Sequence, residues 1–534
     1  MKTASPKRTR VPGSLKQKQN QTAEVAGTLK PKRTILVVVL TAFVTTFTGS
    51  ALNLSIPDLS QQFGVSAGIV GWLVTGYTLA VAAFSVPAGR IADLTCRKTV
   101  LAVGIALFTA CCVGAVFAVS MIMLIWIRVA QGIGAAMVFS TNTAVLLSAF
   151  PAESRGRVIG YSLASTYAGL SSGPVLGGVL NLHFGWEAIF ILTGIISEAA
   201  LVAVFGLTGK TMKSLEENGS RVTVGNESSM KEVSQNEHTL AETDQGETVV
   251  QQAAGTESAQ AQQQTPEQKN LKPRSSDLTG NLLYLISIVL LMYGLSEIGK
   301  GWIPPVLAAV GLAVGIFFLR HELKLEDPAV NVRLFRQNIG YGFSNLSALL
   351  NYGATFAISY LVSIYLQVVQ GFSSQATGMI MIAQPAIMAG LSPVAGRLSD
   401  KFSPFKLSSA GMGLCAAGTC LFIFLGQHTS LWLVITALAV TGLGFALFSS
   451  PNTNAVMSCV EEADYGVASS ILATMRSIGH TLSMVVVTII VTFYMQDASL
   501  ADAPPEILIR VMRIAFIIFT GICIAGVFVS LKRR

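Results

Sequence analysis

The sequence predicts an all-α integral membrane protein with fourteen membrane-crossing helices, and three observations carry that expectation. Of 534 residues, 51% are hydrophobic and only 12% charged, about half the roughly 25% charge of an ordinary soluble domain. Apolar stretches recur from end to end, each of about 20 residues and so able, at about 1.5 Å per residue, to span roughly 30 Å of bilayer hydrocarbon. Lys and Arg gather in alternate connections between these stretches, the bias that orients helices in a membrane.

Residues 1–33 form a basic tail with nine Lys/Arg against Glu24, which accounts for the whole formal net charge of +8 and leaves no basic face for nucleic acid. The first span, 34–56, follows Lys30, Lys32 and Arg33 but is long, lacks a small-residue cleavage site and is succeeded by further spans, so it is no signal peptide. Spans follow at 68–91, 99–119, 121–141, 158–181 and 187–207, the third and fourth divided because one run of that length is too long for a single crossing. Residues 208–278 break the pattern. Rich in Gln, Glu, Ser and Thr, with ten acidic residues from Glu216 to Glu267 against Arg221 and Lys231, they read as a disordered cytoplasmic linker. Gly209-Lys210-Thr211 within it is no phosphate loop, because the first glycine of that motif would fall at Val204. Spans resume at 279–297 and 302–320. After a connection at 321–340 come 341–366, 376–398, 406–426, 430–450, 467–493 and 508–530, and 531–534 form a basic tail.

Arg97 and Lys98, Arg155 and Arg157, Arg320, Lys324, Arg333 and Arg336, Lys401 and Lys406, and terminal Lys532, Arg533 and Arg534 fall on one side. That side, with both termini, is expected to be cytoplasmic, giving a multi-pass protein of the plasma membrane. The opposite connections at 57–67, 182–186, 367–375, 427–429 and 494–507 hold no Lys or Arg, although Lys300 lies on that side and the inner loop 451–466 is acidic. The seven cysteines include no CxxC and mostly lie in apolar runs, which leaves neither a disulfide framework nor a structural metal. No nucleophile-elbow, HExxH or nucleotide motif appears, so an enzyme is not expected.

Four strings carry chemistry. Gly89-Arg-Ile-Ala-Asp93-Leu-Thr-Cys96-Arg97-Lys98 ends the second span with a carboxylate beside two cations; Gly89 suits close helix approach, and Asp93 can pair across the loop or with a neighbouring helix N-terminus. Gly396-Arg-Leu-Ser-Asp400-Lys401 echoes it after the tenth span. In the fourth span Arg128-Val-Ala-Gln131-Gly132-Ile-Gly134 puts a guanidinium inside an apolar stretch, which is costly unless it faces protein or water; the alternative is an arginine snorkelling to the outer interface. The fifth span holds Gly169-Leu-Ser-Ser-Gly173-Pro174-Val-Leu-Gly177-Gly178, a small-residue stripe at every fourth position with a proline that would kink it.

The first string resembles the signature loop of the major facilitator superfamily, with Leu94 and Cys96 departing from it; the arginine string resembles that family's second motif, and the fifth-span string the antiporter motif that marks its exporters. Tyr365-Leu-Gln367 and Gly466-Val-Ala-Ser-Ser-Ile-Leu-Ala-Thr-Met-Arg476-Ser-Ile-Gly479 extend the likeness to the fourteen-helix drug:proton antiporters. The resemblance implies that 34–207 and 341–530 are two six-helix bundles and 279–320 an inserted helix pair. It also implies proton coupling through Arg128 and Asp93, and a gate built from Gly89, Arg97, Lys98, Gly169, Gly173, Pro174, Gly177 and Gly178. Related exporters carry an aspartate nine residues before a first-span proline. Here that proline is Pro57, Asn53 is kept, and the acid's position is Thr48, which weakens the case for cationic substrates.

Glu198, midway through 187–207, is the deepest carboxylate and the expected coupling acid. Asn53, Gln131, Gln384, Arg476 and His480 are candidates for the central cavity; Arg476 and His480, four apart, share a helix face. The function expected is proton-coupled export of small amphipathic or toxic compounds by alternating access. It would be driven by the proton gradient without cofactor or metal, by a monomer in the bilayer. An importer or uniporter of the same fold, and a transport-like receptor signalling through the linker, are the alternatives. Cutting the 208–278 linker to about 15 residues, still a flexible tether, is expected to leave efflux intact at normal expression.

Overall fold

The structure is a computed structural model that describes residues 31–65, 67–205, 277–299, 301–325, 328–495 and 504–532. The 208–276 part of the linker and residues 1–30 of the basic tail lie outside the described residues. Among the described residues all regular structure is helical. The first six long helices are α1 (Pro31–Ala51), α2 (Trp72–Leu94), α3 (Arg97–Val116), α4 (Met121–Ser148), α5 (Arg155–Phe184) and α6 (Glu187–Phe205). Two more, α7 (Leu278–Ser296) and α8 (Ile303–Glu322), pair with one another. The last six are α9 (Ile339–Val369), α10 (Gln375–Lys401), α11 (Pro404–Leu421), α12 (Leu431–Ser458), α13 (Tyr465–Met495) and α14 (Pro505–Leu531).

Thirteen of these helices are long and apolar enough to cross a membrane. The exception, α5, runs for 30 residues, about 45 Å, but Gly, Ser and Thr dilute its apolar character. The reason is its place: it is flanked by α1 and α10, and small residues let backbones approach where bulky ones would hold them apart. Starts follow local chemistry. Ser120, Asp277 and Asn338 accept from the N–H groups of Met123, Gly280 and Tyr341 at 3.2, 2.9 and 3.0 Å, satisfying donors that a first helical turn leaves free. Near its end α9 widens into a π turn at Tyr365–Val369, placing the Tyr365-Leu-Gln367 string on a locally distorted segment.

Helices α1–α6 and α9–α14 form the two bundles, which meet along two seams, α2 against α13 and α5 against α10. Helix α7 rests on α2 and α13 through an apolar cluster that includes Ala82, Val86, Tyr284, Ile288, Val467 and Ile471. The Tyr284 hydroxyl donates to the Ala82 carbonyl at 3.0 Å and meets Thr474 Oγ1 at 2.6 Å. Arg97, Lys98, Arg155, Arg157, Lys401 and Lys406 mark the end of the molecule at which α1 begins and α14 finishes, called the basic face below.

Candidate functional site

At the basic face both seams are closed by the same device. The Asp93 side chain at the end of α2 is fully buried, and it accepts from the backbone N–H groups of Gly466 and Val467 at 3.0 and 2.8 Å. Asp400, at the end of α10, accepts from those of Gly156 and Arg157 at 2.6 and 2.9 Å. Each carboxylate therefore occupies the N-terminus of a helix in the other bundle, where orphan N–H groups and the helix dipole favour negative charge. Arg97 donates to Asp93 through Nε and Nη2 at 2.9 and 2.8 Å, and its Nη2 also reaches the Glu462 carbonyl across the seam. Arg97 and Arg155 lie over the Tyr465 ring, 5.7 and 5.6 Å from its centre. Lys98 is half-buried beside them.

Glycine makes the approach possible. A methyl group on Gly89 would lie 2.6 Å from the Gly466 carbonyl oxygen, and one on Gly156 would lie 2.7 Å from Asp400 Oδ1. Gly396 faces Gly156 in the same way, its methyl 2.9 Å from the Gly156 carbonyl carbon. Asp93, expected in proton handling, is thus placed in a latch between bundles.

The fifth-span glycines do different work. Methyl groups on Gly169, Gly173 and Gly177 would lie 2.5 Å from the Phe43 carbonyl oxygen, 2.8 Å from Ser50 Cβ and 2.7 Å from Ala51 Cβ, so this stripe packs α5 onto α1 inside one bundle. Ser165 and Thr46 hydroxyls donate to the carbonyls of Val39 and Thr166 across that contact at 2.6 and 3.0 Å. The helix passes through Pro174 as one continuous element, and Gly178 is half-buried one residue beyond the stripe.

Arg128 does not snorkel: it is 0% exposed, in the interior of the first bundle. Its Nε donates to the Leu73 carbonyl at 3.1 Å and its Nη1 to Gln131 Oε1 at 2.5 Å. The guanidinium carbon is 4.3 Å from the centre of the Tyr77 ring, a cation–π distance. Gln131 in turn donates to Cys112 Sγ at 3.1 Å, and the Tyr77 hydroxyl donates to the Thr45 carbonyl at 3.1 Å. Every contact is neutral, and Nη2 has no hydrogen-bond partner. Tyr77 and Cys112 were not among the residues singled out from sequence; nothing in their local strings marks them.

Between the bundles lies a cavity lined from one side by α1, α4 and α5 and from the other by α12 and α13, with Asn142, Thr166, Thr453 and Arg476 on its wall. His480 stacks on Phe356 at 4.1 Å and meets Tyr352 edge-on at 5.4 Å, a packed histidine. Gln384 is buried where α10 crosses α12. Asn53 falls in a short turn after α1, and its side chain lies outside the described residues. Thr48 spends its hydroxyl on the Val44 carbonyl of its own helix at 2.8 Å.

Glu198 does not reach this cavity. It is exposed on the outer surface of α6, in one stripe with Ile191, Ile195, Val202 and Phe205, whereas Thr193, Ser197, Ala200 and Val204 face inward. The geometric basis for a coupling acid at that position is therefore lost: an outward carboxyl meets neither substrate nor gate. Glu198→Gln is expected to keep transport within about twofold of the parent, as for ordinary surface changes; loss of pH-driven uptake in proteoliposomes would restore it to the mechanism.

The comparisons agree with this architecture. The family model described as Major Facilitator Superfamily matches residues 38–320 and 345–534. A riboflavin transporter of Clostridioides difficile is 26% identical over 456 residues, 85% of this chain and 87% of that protein. A multidrug resistance protein of Mycobacterium tuberculosis is 27% identical over 461 residues, covering 85% and 74%, and a methylenomycin A resistance protein of Streptomyces coelicolor 25% identical over 471 residues, covering 86% of each. The human organic anion transporter structure superposes with a TM-score of 0.61 at 14% identity, over 94% of this chain and 100% of that one, a likeness of fold. Two helix bundles latched along two seams around a shared cavity, in a sequence matched by the family across both of them, make this chain a multi-pass membrane transport protein of the Major Facilitator Superfamily, not an enzyme.

Proposed function

We propose that the protein exports small molecules across the plasma membrane by alternating access, the basic face being cytoplasmic and the present arrangement closed on that side. The observation that carries this reading is the pair of latches, Asp93 on α13 and Asp400 on α5. Both aspartates hold helix N-termini of the opposite bundle, so both contacts must break for the cavity to open towards the basic face. A hydrogen bond to a charged group contributes about 1.5–3 kcal/mol, enough for each latch to shift a two-state equilibrium by at least about tenfold. Proton entry is the proposed energy source. The relatives named for multidrug and methylenomycin A resistance support the export direction. The relative named as a riboflavin transporter supports a second reading, movement of a small metabolite.

The test is a substrate screen in a bacterial strain stripped of its own exporters, with and without a proton uncoupler. Reduced accumulation that the uncoupler abolishes is the expected result. Raised accumulation on expression would overturn export, and uncoupler-insensitive efflux would overturn proton coupling.

A further inference from the structure

The geometry points to an anionic substrate: the negative charge of a small molecule entering between the bundles is met by Arg476 on the cavity wall. This deepens the export reading and rests on it. Arg476 is the one charged side chain among the described residues lining the cavity. It lies eleven residues into α13, about 16 Å from the basic end at 1.5 Å per residue, close to the middle of roughly 30 Å of hydrocarbon. It is half-buried, its Nε is buried without a hydrogen-bond partner, and it enters no ion pair among the described residues. A guanidinium at that depth is costly until a counter-charge reaches it.

Among the described residues that line the cavity there is no such counter-charge. Thr48 is neutral and turns its hydroxyl back on its own helix. Glu198 faces away from the bundle, and Asp93 and Asp400 are committed to the latches. The counter-charge therefore arrives with the substrate, and a carboxylate or sulfonate suits a guanidinium's fork of donors.

An aromatic cluster backs the cation. The Arg476 guanidinium lies 5.1 Å from the centre of the Tyr352 ring. Tyr352 meets Phe445 edge-on at 5.2 Å, and Phe445 meets Tyr167 at 5.9 Å. Tyr167 belongs to α5, so this aromatic cluster crosses from one bundle to the other beside the charge. These rings are buried, so they hold the guanidinium from behind and leave its remaining donors for an anion.

The full-length protein in nanodiscs is titrated with carboxyfluorescein, a planar aromatic anion, and with ethidium, a planar aromatic cation, by fluorescence anisotropy. Flux of both dyes is followed in proteoliposomes. Carboxyfluorescein is expected to bind at least about tenfold more tightly than ethidium. R476Q should lose about tenfold or more of that affinity, R476K should recover part of it, and thermal unfolding of both variants should match the parent. Ethidium binding as tight as or tighter than carboxyfluorescein, binding of neither dye, or an unchanged carboxyfluorescein affinity in R476Q overturns the proposal. Carboxyfluorescein that binds through Arg476 but moves only inward would leave the anion site standing and sink the export reading instead.

Discussion

Arg128→Ala is expected to lower transport by about 100-fold or more while the protein still reaches the membrane. The guanidinium is wholly buried and held by the Leu73 carbonyl, Gln131 and the face of Tyr77. Removing it leaves the buried Gln131 Oε1 without its donor, at about 1–3 kcal/mol, and opens a cavity between α2 and α4. Gln131 would also lose the contact that orients it towards Cys112, so the disturbance spreads to α3. Arg128→Lys should restore a fraction, because an ammonium keeps the charge but cannot reach the Leu73 carbonyl and Gln131 in the same planar arrangement. Initial efflux rates and detergent melting curves together decide the matter. Near-parental efflux in the alanine variant would mean that the buried charge has no part in the cycle.

Gly89→Val is expected to abolish transport by a different route. Even one methyl group at position 89 would lie 2.6 Å from the Gly466 carbonyl oxygen and 2.9 Å from its carbon, and backbone cannot step aside as a flexible side chain would. The α2–α13 seam would be held apart, Asp93 would lose its two N–H donors on α13, and the closed state would be depopulated. Accessibility gives the direct readout. Ser162→Cys on the cavity wall, in a background carrying C96S to remove the exposed native thiol, should react with a membrane-impermeant maleimide from the basic face far faster once Gly89→Val is added. Equal protection with and without Gly89→Val would show that the seam tolerates a side chain.

The helices, the latch at Asp93 and the buried arginine string were legible in the sequence because each leaves a local mark: apolar length, a carboxylate four and five residues from cations, a charge inside a span. The second latch was half legible. Gly396 to Asp400 repeats the Gly89 to Asp93 spacing, and Gly156 and Gly466 each stand second in their helices, a parallel that matches donors to acceptors once it is noticed. The role of Gly169 to Gly177 needed three dimensions, since a small-residue stripe does not say which helix it faces. For Glu198 the sequence gives depth, and the outward direction that the structure shows is a separate property. The period of Ile191, Ile195, Val202 and Phe205 already places an outward stripe through position 198. The setting of Arg476 was out of reach, because the absence of a partner is a property of the whole cavity and not of any one segment.

The two seams are related by an internal repeat, yet they are not mechanically equivalent. The α2–α13 seam is spanned by an element from outside both bundles, through the Tyr284 hydroxyl that engages Ala82 on one side and Thr474 on the other. A strap across one edge of a clam turns a symmetric gape into a lopsided one: that edge becomes the fulcrum, and travel accumulates at the unstrapped edge between α5 and α10. Cargo would then pass along one flank of the molecule, and the inserted pair would govern how far the other flank swings.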